Sequence, residues 1–218
     1  LNGQPLDLGV FGGAGTISGD DLNSFIELYI AYFNRAPDSI GLNFWGTSFA
    51  KGTTLDQMAV FFSDQPETRA KYPEGTSNEV FVETVYLNVL GRLPEQLGFD
   101  FWVDTLDRNA LQRADFILEF LGGAAADPPP NATQEFIDRQ QADRDFLAAK
   151  TSIGAYYAVH KGMSDVDNAR AVMADHDGTQ ASFLEAIEAI DDFYVDAISA
   201  ETGEFLMPLI GVLEDPFL

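Results

Sequence analysis

Residues 35–45 read RAPDSIGLNFW and residues 92–102 read RLPEQLGFDFW, so Arg-x-Pro-acid-x-x-Gly-x-x-Phe-Trp occurs twice without a gap. At the same offset of 57 residues Tyr29 also matches Tyr86. Self-similarity at such a period marks one supersecondary unit stacked on another. Each copy reads as a corner between two helices: Pro37 or Pro94 opens the second helix, where a missing N–H costs nothing, and the acid that follows suits the positive first turn. The arginine stands where its planar, multi-donor head can reach the last carbonyls of the preceding helix or a neighbouring carboxylate. Gly41 and Gly98 fall one turn inside the new helix, at a cost of about 1 kcal/mol relative to Ala, which implies close approach of a partner helix. Phe44–Trp45 and Phe101–Trp102 follow on that face and supply bulk. The motif reads as a lock between helices. Its functional alternative makes Trp45 and Trp102 platforms for sugar rings, flanked by Asp38, Asn43, Glu95 and Asp100, with Arg35 and Arg92 gripping an anionic ligand.

Working outward, Leu22, Phe25, Ile26, Tyr29, Tyr32 and Phe33 keep helical spacing, so a helix is predicted from Asp21 to about Asn34 with Asp20 or Asp21 as N-cap. The next is expected from Pro37 to near Gly52, and Thr54 caps another through Phe62. The cycle repeats with a cap at Ser77 or Asn78, a helix opening at Pro94, and a third from Leu111 to Leu121 stopped by Gly122–Gly123. Residues 1–20, with five glycines between Gly9 and Gly19, read as a flexible lead-in. The stretch GGAGTISGD resembles a calcium-binding glycine–aspartate repeat only weakly, because Ile17 takes a ligand position. Residues 21–123 form the tandem-repeat domain, and the proline-rich stretch at 124–132 is a linker. Residues 133–218 form a C-terminal helical portion: Thr133 to about Lys161 with a bend at Gly154, Ser164 to Ala174, and a last helix to Ser199 behind a capping box of Ser182 and Glu185. The expected architecture is an all-α bundle of roughly nine helices.

Composition narrows the function. The chain has 218 residues, 35 acids against 12 Lys plus Arg, a net charge of −23 and no Cys. An even acid excess and no basic run argue against nucleic-acid binding. The lack of Cys removes disulfides, thiolate metal sites and thiol catalysis. Eighteen Phe and 46% hydrophobic residues supply a core that disordered acidic chains lack. The longest strongly apolar stretch, LMPLIGVL at 206–213, is too short to cross a bilayer, so no membrane insertion is expected. A Cys-free, acidic, glycine-containing chain fits bacterial proteins exported unfolded and folded outside the cell with calcium, and cytosolic proteins of halophiles share that composition. Asp165, Asp167, Asp175 and Asp177, at the two ends of one short helix, are the candidate calcium ligands, although the spacing around Gly178 is not that of an EF-hand loop.

Tyr-x5-Arg-x-Pro-acid-x-x-Gly-x-x-Phe-Trp, followed by a short helix and the segment SDQPE (63–67), resembles the bacterial domain of unknown function 4214 over about residues 21–123. The segment 156–182 is similar to the region that commonly follows it. The resemblance implies repeat-containing, calcium-dependent secreted or surface proteins and an all-helical module similar in shape to phycobilisome linker domains. The second copy matches the family pattern better, since Asn34 stands where the second copy has Gly91. Neither His160 nor His176 sits in a metal-protease pattern, and there is no nucleophile elbow or phosphate loop. The expected function is therefore a non-catalytic module, extracellular or at the bacterial cell surface, that binds glycan or a partner protein with calcium as an optional stabiliser. A purely architectural spacer is the alternative. A carboxylate-based carbohydrate-active enzyme comes third, because paired acids leave no sequence signature.

Overall fold

A computed structural model describes residues 13–201, 203–209 and 212–213. Among these the chain is all-α: α1 (Gly19–Phe33), α2 (Ser39–Ala50), α3 (Leu55–Ser63), α4 (Pro66–Lys71), α5 (Asn78–Leu90), α6 (Gln96–Asp107), α7 (Arg113–Ala125), α8 (Gln134–Ala155), α9 (Val166–Ala174) and α10 (Gln180–Ala197). No strand occurs among the described residues. The glycine-rich stretch GGAGTISGD is described from Gly13 onward; residues 1–12 lie outside the described residues. Residues 14–16 form a short 3-10 turn against α2, with Ala14 fully buried and the Gly13 N–H donating to the Thr47 hydroxyl at 3.1 Å.

The caps show where local chemistry and sequence expectation part. Ser18, Asp38, Thr54, Ser77, Thr133, Asp165 and Thr179 each accept a backbone N–H at the start of a helix, an interaction worth about 1 kcal/mol. Thr54 and Gln57 complete a capping box. Asp38 is thus the cap of α2 and not a first-turn residue: its backbone is extended and its side chain accepts the Gly41 N–H, so the helix starts at Ser39. The capping box expected of Ser182 and Glu185 does not form: Thr179 is the cap, and Ser182 lies inside α10 with its hydroxyl on the Thr179 carbonyl. Asp165, not Ser164, caps α9. Gly122–Gly123 does not stop α7, which continues to Ala125 because Phe116, Ile117, Phe120 and Leu121 hold it on the core. The short α4, begun by Pro66, had no apolar period to announce it.

The core is one continuous cluster that joins both portions of the chain. Phe25, Ile26, Ile30 and Ala31 of α1 have no exposed surface, and α1 packs on α2, α3, α4, α5, α7 and α8. Each such large side chain contributes roughly 1.5–3 kcal/mol by leaving water. α8 crosses α1 at Gly154, where a Cβ would lie 2.7 Å from Ile26 Cγ2, so this glycine serves a close crossing. Beyond it the helix loosens into a π-helical turn at Tyr156–His160. α8 also lies against α5 and α7, so the C-terminal portion is the wall on which both repeats rest.

Candidate functional site

Each corner is the same construction. Helix α1 ends in a left-handed residue, Asn34 at φ 49°, and α5 ends in another, Gly91 at φ 67°. Phe146 of α8 lies over Gly91, where any Cβ would run into its ring. At Asn34 a side chain is accommodated, and its Oδ1 accepts from Lys150 Nζ at 3.0 Å. The one departure of the first copy from the second therefore has a physical cause in what α8 places over each helix end.

The arginine follows. Arg35, buried, gives its Nε and Nη2 to the Glu67 carboxylate at 3.0 and 3.2 Å, and its Nη1 to the Ala36 carbonyl at 2.9 Å and Asp38 Oδ2 at 3.5 Å. Arg92 gives Nε and Nη2 to Asp143 at 2.6 Å each, and Nη1 to the Leu93 carbonyl at 3.0 Å and Glu95 Oε2 at 3.1 Å. Both forks are bidentate, the strong form of the pair. Each guanidinium also sits over a tyrosine ring, Tyr29 at 5.3 Å and Tyr86 at 5.4 Å. With these donors engaged internally, Arg35 and Arg92 hold the corner together, and the gripping of an outside anion is not their geometry.

Gly41 and Gly98 answer the question the repeat raises. A Cβ at Gly98 would stand 2.8 Å from the Tyr86 hydroxyl and 3.0 Å from Glu95 Oε1, and one at Gly41 would collide with the Tyr29 hydroxyl. The close neighbour is thus the matched tyrosine of the preceding helix. Burial pushes the Tyr86 phenol up to about 12, and Tyr29 higher still, so both are neutral at the corner. Burial also pushes Glu95 up, but its backbone hydrogen bond and the Arg92 pair outweigh that and leave the carboxyl below its ordinary value.

The aromatic pair divides its work. Trp45 and Trp102 are partly buried: Trp45 packs edge-on to Phe62 at 5.3 Å, and Trp102 edge-on to Phe116 at 5.0 Å and Phe120 at 6.2 Å. Phe44 and Phe101 were expected to share that face, yet they stand 41% and 59% exposed. One residue's step of about 100° on a 3.6-residue helix carries them out of the contact. Phe62 on α3 and Phe120 on α7 are equivalent at an offset of 58, not 57, because the loop after α6 is one residue longer than the loop after α2. That slip hides the third helix of each repeat from a fixed-offset alignment.

Each corner opens onto a cleft. The first, about 380 Å³, is lined by Tyr29, Arg35, Asp38, Trp45, Phe62 and Glu67 among others. The second, about 200 Å³, is lined by Tyr86, Arg92, Glu95, Trp102, Phe120 and Asp143, and α8 adds Phe136, Arg139 and Gln140. Of the predicted sugar-flanking groups, Asp38 and Glu95 line clefts. Asn43 is buried with its amide on the Ser39 carbonyl, and Asp100 is exposed and bonded to Gln96. Asp143 and Arg139 carry no signal in the sequence, and Glu67 stands out only as the last residue of SDQPE (63–67), since each reaches its corner from a distant element.

The four aspartates considered for calcium remain in two pairs at opposite ends of α9. Asp165 caps α9, Asp167 pairs with Arg170 at 2.8 Å, Asp175 ends the helix, and Asp177 accepts from the Thr179 N–H and hydroxyl. The hydroxyls of Thr179 and Ser182 hold the Asp177 carboxyl well below the usual range. Among the described residues no three His, Asp or Glu side chains come together as a metal site. No helix among them is long and apolar enough to cross a membrane.

An all-helical chain built on a repeated arginine–proline corner is the class these observations define. Residues 59–124, from α3 to α7 around the second corner, match the family model described as domain of unknown function (DUF4214). The first corner lies ahead of the matched residues. No curated protein and no solved structure matches the chain.

Proposed function

We propose that the chain is a non-catalytic glycan-binding module of a secreted or surface-attached bacterial protein, with one binding cleft at each corner. The observation that carries this reading is the equivalence of the two clefts, in which Tyr, Arg, an acid, Trp and Phe recur at matched places. A half-exposed indole beside fixed polar groups is the usual makeup of a small-ligand site, an apolar surface with a few oriented polar atoms. The acids of these clefts, Asp38, Glu67, Glu95 and Asp143, are engaged with the corner arginines. A general acid needs a raised pKa instead, and Glu95 is held below its ordinary value; this supports a binding role over hydrolysis. Calcium enters the proposal as a counter-ion for a surface of net charge −23. Titrating the chain with a panel of neutral and acidic oligosaccharides while following tryptophan emission tests the reading. Saturable changes, weakened in Trp45→Phe and Trp102→Phe, are expected; silence across the panel, with and without calcium, rejects it.

One observation favours a second, architectural reading. Phe44 and Phe101 recur at equivalent exposed places, and Leu97 beside the latter is 84% exposed. Repeated apolar surface of this kind suits contacts with neighbouring modules. Concentration-dependent assembly of the chain, lost in Phe44→Ser and Phe101→Ser, would establish that alternative.

A further inference from the structure

The two clefts differ in one charge. The first is walled by α4 with Gln65, Pro66 and Glu67, and its cation is Arg35, engaged with Glu67 and Asp38. The second is walled by α8, whose Phe136, Arg139, Gln140 and Asp143 share one face at i, i+3, i+4 and i+7. Arg139 is therefore a second guanidinium in a cleft where Arg92 already engages both acids. Every other arginine of the chain donates a hydrogen bond. Among the described residues Arg139 donates none, and its one ion pair, to Glu135, is 3.9 Å long with a glutamate side chain 87% exposed. In a protein with 35 acids, an arginine that lines an aromatic cleft, pairs only loosely with Glu135, acts on Glu95 through its charge alone and, among the described residues, donates no hydrogen bond is a donor fork with room for an outside acceptor. Gln140 gives its amide N–H to the Ala126 carbonyl at 2.9 Å, which fixes the side chain at the cleft. The half-buried Trp102 and Phe136 supply apolar faces on the same cleft. Its volume of about 200 Å³ is below the roughly 300–1,000 Å³ of drug-sized sites, and so suits a single ring.

From this geometry we infer that the second corner cleft takes a carboxylate-bearing sugar unit, with Arg139 pairing the carboxylate and Trp102 contacting the ring. The first cleft, which holds no second cation, takes neutral units. This inference rests on the glycan-binding reading given above.

The test is calorimetric titration of the full chain with a galacturonic acid trisaccharide and with the matching galactose trisaccharide. The acidic ligand is expected to bind about tenfold tighter or more, the ratio equivalent to one charge-assisted hydrogen-bonded pair. Arg139→Gln should remove the preference. Arg139→Lys, which keeps the charge without the planar fork, should restore part of it. Arg108→Gln, on an exposed arginine just past α6 that pairs with Asp104, should leave it intact. Equal affinity for the two trisaccharides, a preference that survives Arg139→Gln, or acetate at matched ionic strength competing as well as the acidic sugar would each overturn the inference. Binding of the neutral trisaccharide alone overturns it while the glycan reading stands; binding of neither overturns both.

Discussion

Replacing Gly41 by Ala sets two effects of opposite sign against each other at a corner. In a helix interior the change gains up to about 1 kcal/mol of helix propensity, and less in the first turn, where Gly41 lies. Against it, the new Cβ collides with the Tyr29 hydroxyl and lies 2.9 and 3.0 Å from the two oxygens of Asp38, which caps α2 through the Gly41 N–H at 2.7 Å. Moving Asp38 forfeits a cap worth about 1 kcal/mol, and forcing the tyrosine aside adds roughly 1–3 kcal/mol of overpacking. The net expectation is a loss of about 1–3 kcal/mol, or roughly 3–10 °C in Tm for a chain of this size. Gly122→Ala is the internal control, because that glycine is helical and nothing lies within 4 Å of its Cβ position; it should stabilise by about 0.5–1 kcal/mol. Urea unfolding followed by tryptophan emission reads both variants. If Gly41→Ala stabilises as Gly122→Ala does, the tyrosine is not what the corner glycine makes room for, and the account of the motif fails.

Three further outcomes follow from the same geometry. Asp143→Asn leaves Arg92 with a neutral partner and should cost about 1.5–3 kcal/mol in urea unfolding. Burial holds the Lys150 ammonium down at about 8, with Lys71 adding to the effect. Its folded pKa therefore lies below the unfolded one, the unfolded chain binds more protons between about pH 8 and 10, and stability should rise with pH across that window. The rise should shrink in Lys150→Met to the part that Lys71, whose ammonium burial also holds down, still contributes, and above pH 10 the buried tyrosines Tyr29, Tyr32 and Tyr72, whose pKa values burial raises, oppose it. The segment 59–124 expressed alone should show no cooperative thermal transition by circular dichroism, whereas the full chain should melt in one.

What could be read from sequence was whatever depends on near neighbours. The end of α1 near Asn34, the helices after Pro37 and Pro94, and the cap at Thr54 are set within four or five residues, and their types announce them. The start of α2 slipped by two residues because Pro37 permits a helix to open but does not require it, and the Asp38 side chain, accepting the Gly41 N–H, sets the first turn at Ser39. The acids that complete the corners could not be read. Glu67 lies 32 residues from Arg35 and Asp143 lies 51 residues from Arg92; SDQPE marks Glu67 as part of a pattern without saying what it meets, and nothing local distinguishes Asp143 from the other acids of the chain. Arg139 was hidden for the same reason, since in EFIDRQQADRD it reads as one charge on a solvated helix face.

α8 explains why the unit that folds is larger than the unit that repeats. Arg35 finds its carboxylate on α4, inside its own repeat, but at the offset of 58 the second copy has Leu-Gly-Gly-Ala-Ala (121–125) where the first has Ser-Asp-Gln-Pro-Glu (63–67), with no acid at the place of Glu67. Arg92 must therefore take Asp143 from α8. The same helix lays Phe146 over Gly91 and sends Lys150 between the ends of α1 and α5, where its ammonium bonds the Asn34 side chain and the Asn88 carbonyl at 3.0 and 2.7 Å. A cation there faces two helix C-termini, the favourable end of each dipole. Cutting the chain at residue 124 removes these contacts together. Arg92 loses its bidentate partner, the end of α5 loses the ammonium, and the α5 and α7 surfaces that rest on α8 meet water. The sum exceeds the 5–15 kcal/mol by which a whole domain is stable only if α8 is integral to the core, and a fragment 59–124 that melts cooperatively would show that it is not.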